Sequence, residues 1–247
     1  MNLKKVIPLK SAILSLVSSA LMLSIISVLS QVKSSLFKNV GLVYLDINLK
    51  TATANAVTSV VTFFRGIDTV GEVTVLFLAT TGVAMILSSS QREGEKLDYE
   101  KSFILDIGSR LLFSVIILFG VYIIIHGHLS PGGGFQGGVV IATAFLLLFL
   151  ANPNLKLNHS ILTLCESLSG SAYVLIALVG FFKLGILLGN FLPHPVSQIG
   201  ELISGGIIPV IYIIVGIKVG SEMTVIVEYF IKREAQYEQS KKEVQNV

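Results

Sequence analysis

Apolar residues in this chain gather into long runs separated by short polar stretches. A hydrocarbon layer about 30 Å thick takes roughly 20 apolar residues in a helix. A window of that length finds six runs: Ser11–Leu29, Ile67–Ser88, Phe103–Ile125, Gly132–Ala151, Ser169–Phe191 and Gly205–Phe230. The pattern predicts an all-α, polytopic integral membrane protein with about six transmembrane helices. The second run is cleanly apolar only from Val73, and the sixth is long and carries three charges, so their ends are the least defined. The first run follows Lys4, Lys5 and Lys10, as a secretory signal would. It is longer than such a segment and lacks an Ala-x-Ala-like cleavage site, which favours a retained anchor.

The most polar internal stretch, Gln91–Lys101 (QREGEKLDYEK), is the natural boundary. It sets a two-span segment (1–90) and an 11-residue cytoplasmic linker (91–101) before a four-span domain (102–231) and a polar, frayed tail (232–247). Asn55–Phe64 reads either as a short segment at the membrane surface or as a plain external loop. Composition agrees with this class: 53% of the 247 residues are hydrophobic and 13% charged, with a mean hydropathy of +0.81. Soluble domains carry about 25% charged residues. A soluble enzyme, a disordered chain and a nucleic-acid binder with a basic surface are thereby excluded. The single Cys165 excludes an internal disulfide framework or a multi-cysteine metal site. Lys and Arg in the loops set orientation. Eleven fall on the side of the termini (Lys4, Lys5, Lys10, Arg92, Lys96, Lys101, Lys156, Lys232, Arg233, Lys241, Lys242) and four on the other (Lys33, Lys38, Lys50, Arg65). Both termini are expected in the cytoplasm.

Ionisable residues inside spans cost about 2.5–3.5 kcal/mol each if they face lipid, so they are functional candidates by default. They are Asp68 and Glu72, Asp106 and Arg110, Lys183, and Lys218 and Glu222. Three sets are spaced i,i+4 and share a helical face. Asp106/Arg110 and Lys218/Glu222 could neutralise themselves. Lys218 and Lys183 each sit near the middle of a predicted span, and Lys183 has no carboxylate within four residues. Asp68/Glu72 is a like-charge pair. Arg65, three residues before Asp68, could neutralise it and leave Glu72 to face inward, as a carboxylate that loads a proton or transiently Na⁺.

Between the third and fourth runs lies His126-Gly-His-Leu-Ser-Pro-Gly-Gly-Gly-Phe-Gln-Gly-Gly138. Ser130-Pro131 reads as a helix start. Glycines disfavour a helix by up to about 1 kcal/mol each, so Gly132, Gly133, Gly134, Gly137 and Gly138 are expected to serve close helix packing, in two small-x-x-x-small ridges. A phosphate loop would need Gly-Lys-Ser/Thr here, where Gly-Val-Val follows. His128 is expected to bond exposed glycine amides or to titrate at the outer mouth of a water path. His126 and His128 have no further ligand in the hairpin to complete a metal site.

The His126–Gly138 run and Gly216-Ile-Lys-Val-Gly-Ser-Glu222 resemble the B subunit of Mrp-type (Mnh-type) Na⁺/H⁺ antiporters, over about residues 100–230. Phe64-Arg-Gly-Ile-Asp-Thr-Val-Gly-Glu72 resembles the small E-type subunit of energy-converting membrane hydrogenases, an element that also ends the antiporter A subunit. The resemblance implies a fusion of two neighbouring subunits, in a membrane-bound hydrogenase or an archaeal sulfane sulfur reductase. It implies an ion route including Glu72 with Asp68 and Arg65 beside it. Implied partners are Mrp C-, D-, F- and G-like subunits and a hydrogenase-like redox arm, with Na⁺ and H⁺ as transported ions, a plasma-membrane location, and no catalysis or cofactor on this chain. A self-sufficient transporter is the alternative, though the repeats such folds usually show are not evident. An intramembrane hydrolase built on Ser169 with His159 or His194 is a third reading.

Overall fold

The computed structural model describes residues 52–88, 102–192 and 199–245, together with 41–46, 48 and scattered positions between 16 and 30. Most of the predicted span Ser11–Leu29, the linker Gln91–Lys101 and His194 lie outside the described residues. The chain divides into two compact units, Met1–Asp46 and Ile47–Val247. In the first, the described positions are helical. The second contains a one-turn helix α1 (Ala56–Ser59) running into a π-helical turn (Val60–Phe64). It continues with α2 (Gly66–Ser88), α3 (Phe103–His126), α4 (Gly134–Ala151), α5 (His159–Leu184) and α6 (Ile208–Gln245). Among the described residues, α2 to α6 are the five helices long and apolar enough to cross a membrane. The protein is a multi-pass, all-helical membrane protein.

Several predicted boundaries move. The fifth span begins ten residues before Ser169, because Asn158 caps it by accepting the Ser160 amide at 3.1 Å. It ends at Leu184, not Phe191. Gly185 takes a left-handed conformation (φ 69°) and its N–H bonds Phe181 O, the usual glycine stop. Ser130-Pro131 does not open α4. Ser130 Oγ donates back to His126 O, and the helix starts at Gly134 after Gly133 turns the chain at φ 150°. The tail is helical through Gln245, as the last part of α6. Helix α2 packs on α6 within the second unit.

The long helices alternate in direction, and one end of the bundle is tied by polar groups. Asn55 accepts the Val57 and Thr58 amides through its side chain, capping α1, and donates through Nδ2 to Gly127 O and Ser130 O. Thr58 Oγ1 adds a bond to Gly127 O at 2.7 Å. Asn190 takes the Ile207 amide and donates to Gly205 O, fastening the chain just after α5 to the start of α6. The segment 55–64 is thus docked on the α3–α4 hairpin.

Packing centres on α4. A Cβ at Gly138 would lie 2.9 Å from Gly216 O of α6, and one at Gly137 2.7 Å from Gly120 O of α3. Gly134 meets the Tyr212 carbonyl in the same way. Two helices therefore approach α4 backbone to backbone on different faces. Beside this seam an apolar core joins Val73 of α2, Tyr173 and Ala177 of α5, Leu188, and Ile211, Val215 and Val219 of α6. Gly138→Ala places a methyl group where a carbonyl already sits, so it should lower stability by about 1–3 kcal/mol, as overpacking does. Gly108→Ala, with nothing within 4 Å, should be neutral or stabilising by up to about 1 kcal/mol. Thermal unfolding of the two variants in detergent gives the comparison.

Candidate ion-handling site

Helix α6 carries the buried charges. Lys218 Nζ lies 2.7 Å from Glu222 Oε1, with side chains 10% and 0% exposed. The two side chains form a close ion pair, and no other group is hydrogen-bonded to either Glu222 oxygen. Taking two charges out of water costs several kcal/mol per ion, recovered only with good geometry. Lys218 also sits 5.4 Å from the centre of the Phe77 ring of α2. Gly170 of α5 leaves room for its head group, its Cβ position being 3.6 Å from Nζ. A cavity of about 380 Å³ opens beside the lysine between α2 and α5, and Glu166, Ser167, Ser171 and Tyr173 help line it. Glu166 is close enough to act electrostatically on Glu222.

Glu72 is exposed on α2 and lines a second cavity of about 590 Å³, with Asn55, Thr58, Thr62, Gln136 and Tyr212. Thr62 Oγ1 is buried there without a hydrogen-bond partner. Tyr173 links the two regions. Its hydroxyl donates to Gly66 O at 3.2 Å, and Glu72 acts on it electrostatically. Arg65 binds Asp68, and both side chains are about half exposed or more. Of the predicted residues, the fold thus brings Lys218 and Glu222 together inside the bundle, while Glu72 lines the other cavity.

Other candidates lie elsewhere. Asp106 and Arg110 pair with each other through two contacts at 3.1 Å on an exposed face of α3. Lys183 is not central in a span. It is exposed in the last turn of α5, 5.3 Å from the Phe191 ring, because the helix stops seven residues earlier than the apolar run implies. His128 lies at no open mouth and bonds no glycine amide. It is fully buried, with Nε2 3.4 Å from Glu201 O and Nδ1 unpartnered. Ser169 Oγ donates to Cys165 O and Glu166 O, and His159 is ten residues away on the same helix, about 15 Å along its axis. That pair cannot form a nucleophilic dyad.

A half-buried carboxylate, Glu166, and a buried one, Glu228, lie outside the candidates that the sequence pattern singles out. Glu166 falls before the predicted span start at Ser169, because the polar first third of α5 fails an apolar window. The Asn158 cap was the missed signal. Glu228 fell inside the sixth predicted span without being singled out. Its side chain is 3% exposed, bound by Lys232 one turn on, and its Oε1 lies 3.5 Å from His159 Nε2. The i,i+4 spacing of Glu228 and Lys232 in an apolar run could have marked it.

Two measurements test this geometry. Lys218→Met leaves Glu222 buried and unpaired, and should cost about 3–5 kcal/mol, whereas the double change Lys218→Met/Glu222→Leu should recover most of it. Thermal unfolding in detergent reads both. Burial, with a smaller contribution from the nearby His126, holds His128 below the ordinary histidine value of 6.5. The unfolded chain then binds that proton first, so stability should fall as pH drops below about 6.5. His128→Asn should remove that part of the slope, which unfolding midpoints measured against pH would show.

Residues 104–225 match the family described as a domain related to the MnhB subunit of Na⁺/H⁺ antiporter. An uncharacterized protein of Methanocaldococcus jannaschii is 32% identical over 193 residues, covering 67% of this chain and 72% of that protein. A putative antiporter subunit of Staphylococcus saprophyticus is 39% identical over 75 residues, 28% of this chain and 53% of its own length. Among solved structures, a chain of the membrane-bound sulfane sulfur reductase, an archaeal respiratory membrane complex, is 41% identical with a TM-score of 0.71, covering 93% of this chain and 99% of that one. A chain of the Mrp complex from Dietzia shares the fold (TM-score 0.67, 20% identity), with 93% of this chain matching 26% of that one. With its buried Lys218–Glu222 pair lying inside the matched region, the chain carries a domain of the family related to the MnhB subunit of Na⁺/H⁺ antiporter.

Proposed function

We propose that this chain is a non-catalytic subunit of a multisubunit Na⁺/H⁺ antiporter-like module, seated in the cell membrane within a redox-driven respiratory complex, and that its buried charges form part of a cation route. One observation carries the route: Lys218 and Glu222 meet inside the bundle beside Glu166, at the wall of a cavity. A static pair in lipid-like surroundings has no need of a second carboxylate and an open volume next to it. The route runs from this cluster past Tyr173 to Glu72 and the larger cavity at the tied end of the bundle.

The sulfane sulfur reductase likeness, which spans nearly the whole chain, supports a place in a complex of that type over a free-standing antiporter. The MnhB-related match begins at residue 104. The part before it carries Phe64–Glu72, which supports an E-type element fused ahead of a B-type domain. Partners are then C-, D-, F- and G-like membrane subunits and a redox arm. Electrons stay in that arm, since a chain with one cysteine and four histidines offers few redox ligands. The charged end of the bundle, with Lys156, Lys232 and Arg233, faces the cytoplasm under the rule for loop charges.

Glu222→Gln and Glu72→Gln, introduced into the intact complex in inverted membrane vesicles, should each abolish Na⁺-dependent proton movement while the other membrane subunits still copurify. Full sodium-dependent movement in Glu222→Gln would refute the route.

A further inference from the structure

At the charged end of the α5–α6 seam, away from every residue assigned above, lies a second buried carboxylate. Glu228 is 3% exposed. One of its oxygens, Oε1, is bound by Lys232 and lies 3.5 Å from His159 Nε2, while Oε2 is buried without a partner. His159 is 56% exposed and so joins outside water to a carboxylate that water does not reach. Lysine alone would neutralise Glu228. The histidine adds the one side chain whose ordinary titration lies near neutral pH.

Tyr229, Arg233 and Glu234 flank Glu228 on α6, and Lys156 stands just before α5. Lys232 and His159 are the basic groups within 4 Å of this carboxylate among the described residues. Helix α4, packed on α6, carries no titratable side chain. On α3, Asp106 and Arg110 bind each other, and on α2, Asp68 and Glu72 lie toward the opposite end of the bundle. Inward along α5, residues seven apart share a face, since seven steps of 100° fall 20° short of two turns. That face presents His159, Glu166 and Tyr173 in order, spaced about 10 Å apart. The line leads from water to the Glu166–Lys218–Glu222 cluster.

We infer that His159, Glu228 and Lys232 form the proton-exchange portal of this chain, where a proton passes between water and the buried carboxylates. The imidazolium gives its Nε2 proton to Glu228 and becomes neutral imidazole, which takes a fresh proton from hydronium in the outside water, leaving water. Lys232 stays bound to the carboxylate and limits how long Glu228 keeps the proton. A small turn of the exposed ring closes 3.5 Å to hydrogen-bond length. The inference rests on the cation route proposed above.

The test uses the whole complex in inverted vesicles. His159→Ala should slow Na⁺-dependent proton movement about 100-fold, the low end of what a positioned acid–base group contributes, and millimolar imidazole should restore it. His159→Gln should behave like His159→Ala. Glu228→Gln should be slow and not respond to imidazole. A His159→Ala complex that runs at the wild-type rate across neutral pH overturns the portal, as does a slow one that imidazole does not restore. If Glu222→Gln is inactive while His159→Ala is unimpaired, the portal alone fails. A fully active Glu222→Gln overturns the route itself.

Discussion

The close approach of α4 to its two neighbours is the constraint on which the rest of the bundle depends. Helices in lipid gain little from burying apolar side chains against one another, so association relies on tight van der Waals contact and on hydrogen bonds. Here Gly134 and Gly138 face α6 while Gly137 faces α3 through Gly120. The contact is made by backbone and leaves no room for a methyl group. Tyr212 completes it at the hairpin, where its ring lies against Gly127 and Gly133.

That seam decides where the charges go. Gly216 and Gly220 press α6 onto α4, and a residue two positions on points about 200° around the helix. Lys218 must therefore project away from the seam, toward Phe77 of α2 and Gly170 of α5. Glu222, one turn further on, follows it. The glycine face and the charged face of α6 are two sides of one fixed rotation. A shift that relieved the seam would also swing the ion pair out of register with Glu166.

Much of this was legible from residue order. Runs of about 20 apolar residues located four of the five described spanning helices to within a few residues at their starts, since hydrophobic length is a local property. The i,i+4 pairs Asp106/Arg110 and Lys218/Glu222 were readable because helical spacing puts them together whatever surrounds them. The same rule misled at Lys183, whose central position depended on an apolar run continuing past Gly185. It also passed over Glu166, because an amphipathic first third looks like a loop when only apolar length is counted.

The sequence by itself determined the class, the existence of the described spans, and which charges could pair along one helix, because each depends on residues within a few turns of one another. Only the tertiary structure decided that Asp106/Arg110 faces outward while Lys218/Glu222 faces inward, and that His128 is sealed against Glu201. It alone set His159 beside Glu228 across 69 residues. The physical reason is rotation: spacing along a helix fixes the angle between two side chains, but the direction of both is set by the neighbour that the glycines admit.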